Sequence, residues 1–258
     1  MIQCRKITHF AVATTLSLFA GTAANAAEVS FDFDLTNDIQ SASANFTFAD
    51  GAELGDLATL TITLTNTMTT NGAPNWLTGL FFNLAGSPSL SYQSVNGQMI
   101  TLDGTTQSDY TTAAPDHFWA YRDDLTGMLP FIGDQQYGLG SAGFDIFGQS
   151  DILNFVEGGP LPQPDGTDGG ILADIGGLSV PSGHDGTPFV LGSLQLTFWL
   201  PEGFNLDDAD VSDVAFVFGT GFDEIILVVP LPLPLAMAAA GFGIVAVFRR
   251  RLTALAGL

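Results

Sequence analysis

Basic residues are nearly absent from this sequence. The 258 residues include six Lys+Arg against 27 Asp+Glu. Between residues 27 and 228 the only basic residue is Arg122, while all 27 acids lie there, so this part has a formal charge of −26. Such a surface cannot neutralise phosphate groups, which argues against nucleic-acid binding. Because most acids have no basic partner, burial of apolar side chains must stabilise the fold.

Cysteine is equally scarce. The single cysteine, Cys4, lies in a short basic segment, and an apolar stretch follows at residues 10–20. Ala24-Asn25-Ala26 then supplies the small-x-small pattern of a cleavage site, with Ala24 and Ala26 as the small residues. We therefore predict a secretory signal peptide over residues 1–26. The mature chain would contain no cysteine and no disulfide bond.

Charge is also missing from a long stretch near the end of the sequence. Residues 231–248 are uncharged, and Arg249, Arg250 and Arg251 follow directly. As a helix this stretch would be roughly 27 Å long, close to the ~30 Å hydrocarbon core of a bilayer. The arginines favour the cytoplasmic side. Since the signal peptide also begins with basic residues, both segments predict that the body, residues 27–228, lies outside the cytoplasm.

A proline motif, Val229-Pro230-Leu231-Pro232, precedes this apolar stretch. The order of motif, apolar stretch and arginine cluster over residues 229–258 resembles the PEP-CTERM sorting signal of Gram-negative bacteria, the tag of exosortase substrates. Leu231 stands where the family usually carries glutamate. The resemblance implies Sec-dependent export, processing near the motif by an exosortase, and delivery to the cell surface or extracellular matrix, often alongside exopolysaccharide. An ordinary C-terminal membrane anchor is the alternative interpretation.

The body shows the alternating pattern of half-buried strands. The clearest example is residues 58–66, where Leu and Ile alternate with Thr. Residues 76–84 are apolar on both faces, and Asn96-Gly97 predicts a hairpin between strands at 89–95 and 98–102. Residues 157–188, rich in Gly, Pro and Asp, predict one long irregular loop. Further strands are predicted at 28–34, 43–48, 118–122, 138–147, 153–156, 192–200 and 214–218.

No segment of the body has the period or caps of a helix. Short strands at roughly ten-residue spacing predict an all-β fold, an antiparallel β-sandwich that is jelly-roll-like or immunoglobulin-like. The expected organisation is a signal peptide (1–26), an acidic β-sandwich domain (27–228) and the sorting signal with its transmembrane helix (229–258).

Several motifs could carry chemistry. Residues 138–143 spell G-x-G-x-x-G, which without a parallel strand before it and a helix after it indicates a glycine-rich turn. His117 and His184 each lie beside an aspartate but have no further ligands to join, so we expect exposed loop residues. Arg122 is expected to pair with Asp123 or Asp124, or with an acid elsewhere.

Tryptophans and clustered acids are the remaining candidates. The tryptophans could form a sugar-binding platform, but each lies in an apolar strand, so core packing is the favoured prediction for Trp76, Trp119 and Trp199. Asp207, Asp208 and Asp210 crowd one turn and are the candidate ligands for a structural calcium ion. Solvated turn acids are the commoner explanation, and we predict no cofactor, no metal site and no catalytic residue.

Together these observations predict an exported, non-enzymatic protein with a structural role in a biofilm or exopolysaccharide layer. Membrane contact is expected only through the C-terminal helix before processing. Two alternatives come from other functional classes. One is a carbohydrate- or calcium-dependent adhesive binding module, and the other is a secreted glycan-active enzyme with two convergent carboxylates.

Overall fold

The protein is all-β. The computed structural model describes residues 27–36, 40–51, 56–69, 76–103, 106–111, 114–126, 134–142, 153–154, 168–175, 186–219 and 225–228. Apart from strands, these residues contain two short 3-10 turns, Pro115–His117 and Leu206–Asp208. The strands are β1 (Glu28–Thr36), β2 (Ser41–Ala49), β3 (Thr59–Asn66), β4 (Leu77–Leu84), β5 (Ser91–Asp103), β6 (Thr106–Asp109), β7 (Ala120–Arg122), β8 (Tyr137–Gly140), β9 (Leu153–Asn154), β10 (Ile171–Leu172), β11 (Pro188–Trp199), β12 (Val211–Phe218) and β13 (Ile225–Val228).

All thirteen strands belong to one hydrogen-bonded network that has two groups of neighbours. The first group runs β1-β2-β3-β11-β5-β6, and we call it the β11 group. The second runs β13-β12-β4-β8-β7-β9, and we call it the β4 group. The short strand β10 joins them, because it pairs with β11 on one side and with β4 on the other.

The predicted strands at the start of the body are confirmed. β1, β2 and β3 alternate between buried apolar and more exposed polar residues, as their sequences predict. β4 is buried at every position except Asn83, which confirms the central strand predicted from its apolar faces. It pairs with β12 along one edge and with β8 and β10 along the other.

The predicted hairpin at Asn96-Gly97 is wrong. Residues 91–103 form one continuous strand, β5, which pairs with β11 on both sides of this dipeptide. A type I′ turn needs positive φ at both central residues, and neither residue has it. Gly97 instead faces an irregularity in β11, where a Cβ would lie 3.0 Å from Val190 Cγ1. Glycine is required here by close packing and not by a turn.

The predicted irregular loop at 157–188 is also wrong in part, because it contains β10. Ile171 and Leu172 are buried and pair in parallel with Val190 and Leu191 of β11. This is the one parallel pairing among the described strands, so the sheet is mixed, although every other pairing is antiparallel as predicted. Ile171 and Leu172 lie in a segment that is otherwise rich in Gly, Pro and Asp, which explains why the sequence did not reveal this strand.

Aromatic side chains from the two groups contact each other in the core. The rings of Phe46 (β2) and Phe82 (β4) are 5.0 Å apart, and those of Phe198 (β11) and Tyr121 (β7) are also 5.0 Å apart. All four residues belong to one cluster of buried apolar side chains. Ion pairing beside this cluster is sparse among the described residues: Arg122 pairs with Asp124, and His117 lies 3.9 Å from Asp116. Burial therefore dominates the stability, as the composition predicts.

Candidate functional site

The predicted processing residues fall outside the described part of the chain. This applies to Ala24 and Ala26 of the signal peptide and to the sorting residues Val229, Pro230, Leu231, Pro232, Arg249, Arg250 and Arg251. Among the residues that are described, no helix has the length and apolar character needed to cross a membrane.

The glycine motif at 138–143 has a packing role in its described part. Gly138 and Gly140 lie on β8, so the strand predicted at 138–147 is confirmed for its first described residues, and this part of the motif is not the expected glycine-rich turn. A Cβ on Gly138 would lie 2.6 Å from Leu125 Cδ1 and 2.7 Å from Phe81 Cε1. Only glycine fits at that contact, which accounts for this residue without a nucleotide.

Two of the three tryptophans lie in the core, and Arg122 pairs with a nearby acid. Trp76 and Trp119 are only 4% and 1% exposed, which confirms core packing for both, whereas Trp199 is partly exposed on β11. The indole Nε1 of Trp119 donates a 2.7 Å hydrogen bond to the carbonyl of Gly169. Arg122 forms a hydrogen-bonded ion pair with Asp124, one of the two predicted partners. His184 lies outside the described residues.

The histidine that is described has one acidic neighbour. His117 Nε2 lies 3.9 Å from Asp116 Oδ1, and both residues belong to the 3-10 turn Pro115–His117. Within the described ranges, no group of three or more His, Cys, Asp or Glu side chains is arranged to hold a metal ion.

The acids proposed as calcium ligands make local hydrogen bonds. Asn205 Oδ1 accepts from the backbone N–H of Asp207, and Asn205 Nδ2 donates to Asp208 Oδ2, both at 3.2 Å. Asp210 Oδ1 accepts from the backbone N–H of Val211 at 3.0 Å. These bonds cap the 3-10 turn Leu206–Asp208 and the start of β12, so the carboxylates of Asp208 and Asp210 have structural roles, whereas Asp207 takes part through its backbone N–H.

Asp213 adopts an unusual backbone conformation that the sequence did not reveal. Its φ is +52°, and it occupies an irregularity in the pairing of β12 with β4. Its Oδ2 accepts hydrogen bonds from Asn83 Nδ2 at 3.0 Å and from Ser212 Oγ at 3.2 Å. Gln135 Nε2 donates to the Asp213 carbonyl at 2.9 Å. This network holds the bulge in place, so it explains the strained φ structurally.

The most distinctive surface of the described chain is the solvent-facing side of the β11 group. Four neighbouring strands there, β2, β3, β11 and residues 91–102 of β5, contain no charged residue at all. Their solvent-facing side chains are mainly hydroxyls and amides. We define the hydroxyl face by its six central residues, Asn45, Thr47, Thr61, Thr63, Gln195 and Thr197.

The strand register aligns these residues in rows. One row across the strands is Asp32–Asn45–Thr63–Gln195–Asn96, and the next is Ser30–Thr47–Thr61–Thr197–Ser94. Side chains in a row are about 4.8 Å apart, and rows on the same face are about 6.8 Å apart. The residues between the rows, such as Phe46, Ile62 and Leu196, point into the core and are fully buried.

Hydrogen bonds within and between the rows order the hydroxyl face. Asn45 Nδ2 donates to Asp32 Oδ1 at 2.7 Å, and Thr47 Oγ1 donates to Asn45 Oδ1 at 2.9 Å. The hydroxyls of Thr61 and Thr197 lie 3.4 Å apart. The cross-strand bonds Asn45–Asp32 and Thr61–Thr197, together with the Thr47–Asn45 bond along β2, restrict the rotamers of these side chains.

Trp199 borders the hydroxyl face at the end of β11. It lies two residues beyond Thr197 on the same side of the strand, opposite Thr59 of β3 and Ser91 of β5. The sequence assigned its indole to the core, but the ring is partly exposed because it belongs to the solvent-facing register. A partly exposed indole beside hydroxyls offers both an apolar surface and an N–H donor.

Acidic residues border this face on the opposite side. Glu28, Asp32 and Asp34 lie on the edge strand β1. Burial, and secondarily the neighbouring charge of Asp32, raise the pKa of Asp34. Charges on an edge strand oppose pairing with another chain, so β1 is protected while the strands beside it are uncharged.

A cleft of about 210 Å³ lies between the segment after β2 and the turn after β11. Asp50, Asp56 and Glu202 line it together with Phe204, whose ring stacks on Phe48 at 5.9 Å.

Elsewhere, burial strongly raises the pKa of the hydroxyls of Tyr121 and Tyr137. Those two residues belong to the core, so they do not form an acid–base pair in the cleft.

Comparison of the chain with protein-family models, with curated proteins and with solved structures finds no match.

Proposed function

We propose that this protein is an exported surface or matrix component that an exosortase-type membrane enzyme processes at its sorting signal. The observation that carries the proposal is the order of three parts over residues 229–258: proline motif, uncharged stretch and arginine cluster. The basic start, apolar stretch and Ala24-Asn25-Ala26 pattern support export by the Sec machinery. The two signals are independent of each other and imply the same orientation across the inner membrane of a Gram-negative cell.

The body of this protein is proposed to be a β-sandwich whose layers are the β11 group and the β4 group. Ring contacts between the groups support it, since Phe46 meets Phe82 and Phe198 meets Tyr121. Side chains from two facing sheets interdigitate in this way when the layers are about 10 Å apart.

The proposed role is structural and non-enzymatic. Its support is that the strongest pKa shifts among the described residues belong to the core residues Tyr121 and Tyr137, and that several acids have structural roles, such as Asp34 on the edge strand β1 and Asp208 in the 3-10 turn. The high negative charge keeps the body soluble among other macromolecules of a surface layer. A binding role toward exopolysaccharide is the second candidate, and the partly exposed Trp199 beside the hydroxyl face favours it.

The intact mass of the protein from its own host tests the proposal, with cell-associated and released material measured separately. We expect a released form that starts at Ala27 or Glu28 and ends between Val229 and Pro234. Replacing Pro230 and Pro232 together by alanine should prevent that cleavage, whereas Pro234→Ala serves as a matched control outside the four-residue motif. A chain that still ends at Leu258 and occurs only in membranes would show a simple membrane anchor and refute the sorting proposal.

A further inference from the structure

We propose that the hydroxyl face, together with Trp199, binds a neutral polysaccharide. This inference rests on the proposed delivery of the protein to a polysaccharide-containing layer, and it assigns the contact to one surface of the body. The body has a formal charge of −26, yet β2, β3, β11 and residues 91–102 of β5 have none.

The absence of charge on this face selects the class of ligand. An acidic polysaccharide or an anionic lipid would be repelled by the acids on β1 and elsewhere on the body. A second copy of the body also carries −26, so stacking two hydroxyl faces brings two strongly negative bodies together. A neutral chain of sugars suffers no such repulsion, and it is the macromolecule whose charge matches this surface.

The chemistry of the side chains matches the same ligand. Threonine hydroxyls donate and accept hydrogen bonds, and the amides of Asn45 and Gln195 do both as well. A sugar ring presents hydroxyls that need both kinds of partner around its edge. Because side chains repeat at about 4.8 Å along a row and the rows at about 6.8 Å, the face offers a regular array and not an isolated contact.

Trp199 supplies an apolar stacking surface, which the hydroxyl side chains lack. Sugar rings have apolar C–H faces, and a partly exposed indole provides a flat apolar surface on which such a face can stack. The strand register places the indole on the same side as Thr197 and Thr59. A sugar chain that crosses β11 and β3 therefore contacts the indole and the threonine rows together.

The test is affinity electrophoresis of the protein as recovered from its exporting host, in native gels that contain dextran, pullulan, galactomannan or hydroxyethyl cellulose. Alginate serves as the acidic comparison. We expect at least one neutral polysaccharide to retard the wild-type protein and alginate to leave it unchanged. The strong negative charge gives rapid migration in these gels, so retardation is easy to measure.

Two variants locate the binding surface. Thr61→Val/Thr63→Val removes two hydroxyls while keeping charge, shape and β-propensity, and we expect binding to weaken about tenfold. Trp199→Ala should weaken it at least as much. The matched control is Thr106→Val on the exposed strand β6, which should bind like wild type. A thermal melt of each variant verifies that it is folded. If Trp199→Ala does not fold, the Thr61→Val/Thr63→Val variant still tests the inference.

Three results would overturn the inference: no retardation of the wild type by any of the neutral polysaccharides, equal binding by the face variants and the control, or a valine variant that changes only self-association in sedimentation. The mass measurement separates the two proposals. A correctly processed protein that fails to bind refutes the inference alone, whereas an unprocessed protein that binds through this face refutes the sorting proposal alone.

Discussion

Arg122 is the one Lys or Arg side chain in the described part of the chain, and it pairs with an acid two residues away. Its hydrogen bond to Asp124 lowers the pKa of that carboxyl group, which is largely exposed. An exposed pair of this kind contributes little, on the order of 0–1 kcal/mol. Individual charges on this protein therefore matter mainly through repulsion, and Asp34 is the residue at which this can be tested.

We expect Asp34→Asn to stabilise the protein at neutral pH. The folded-state pKa of Asp34 is raised by burial and by Asp32, so ionisation costs the folded state free energy. This cost is absent below the ordinary pKa of 3.8 and is complete above the raised value. The variant should raise Tm by about 1 °C at pH 7 and leave it unchanged at pH 3, measured by thermal unfolding.

Asp109→Asn on the exposed strand β6 is the control, because it removes the same charge from another edge. Equal gains from both substitutions at pH 7 would show that only net charge matters, and the local explanation for Asp34 would fail.

At the scale of single elements, most strands could be predicted from the sequence, including the short strands β7, β8 and β9, whereas β6, β10 and β13 could not. β1, β2, β3 and the central strand β4 were predicted because their side chains alternate, or are uniformly apolar, over eight or nine residues. β10 spans two residues and β6 four polar ones, so neither gives a periodic signal. Both strands exist because longer neighbours provide the hydrogen-bonding edge.

Asn96 and Gly97 show how tertiary structure overrides a strong local signal. In a continuous strand Asn96 is exposed opposite Gln195, so we expect Asn96→Val to change the free energy of unfolding by less than about 0.5 kcal/mol. Gly97→Ala places a methyl group 3.0 Å from Val190 Cγ1 and 3.3 Å from Leu194 Cδ1. Overpacking of this kind should destabilise the protein by about 1–3 kcal/mol.

Chemical denaturation of the two variants measures both effects. In a type I′ hairpin, residue 96 would have positive φ, at which valine is strongly disfavoured. Asn96→Val would then lower the free energy of unfolding clearly. A loss above about 1 kcal/mol for Asn96→Val would thus contradict the continuous strand.

At the scale of the whole molecule, charge and burial oppose each other. The body of −26 contains a single basic residue, so compaction brings like charges together without compensating pairs. The core of aromatic and aliphatic side chains must exceed that repulsion. The effect of salt on stability should therefore have the opposite sign from that of a protein whose surface ion pairs stabilise it.

We expect NaCl to stabilise this protein. Raising its concentration from 10 mM to 500 mM shortens the Debye length from about 30 Å to only a few Å and screens the self-repulsion. Tm should rise by about 5 °C, measured by thermal unfolding. A flat or falling Tm would contradict the argument. CaCl2 and MgCl2 at equal ionic strength provide the control, and a larger rise with calcium than with magnesium would indicate specific calcium binding, for which Asp207, Asp208 and Asp210 are the candidate ligands.

The sequence by itself determined the all-β class, because period-2 alternation directs apolar residues to one side wherever a strand is long enough. It also determined that burial and not ion pairing stabilises the fold, since one basic residue cannot neutralise 27 acids. The sorting and signal segments are likewise predicted from sequence alone, and they remain predictions because they lie outside the described residues.

Only the tertiary structure decided which strands are neighbours, and this created the hydroxyl face. The threonines of β3 were predicted to face solvent, but the sequence could not show that Asn45 and Gln195 align on either side of Thr63. It also could not show that Trp199 belongs to the same face. Pairing between strands more than a hundred residues apart depends on the packing of both strands, which no local pattern contains.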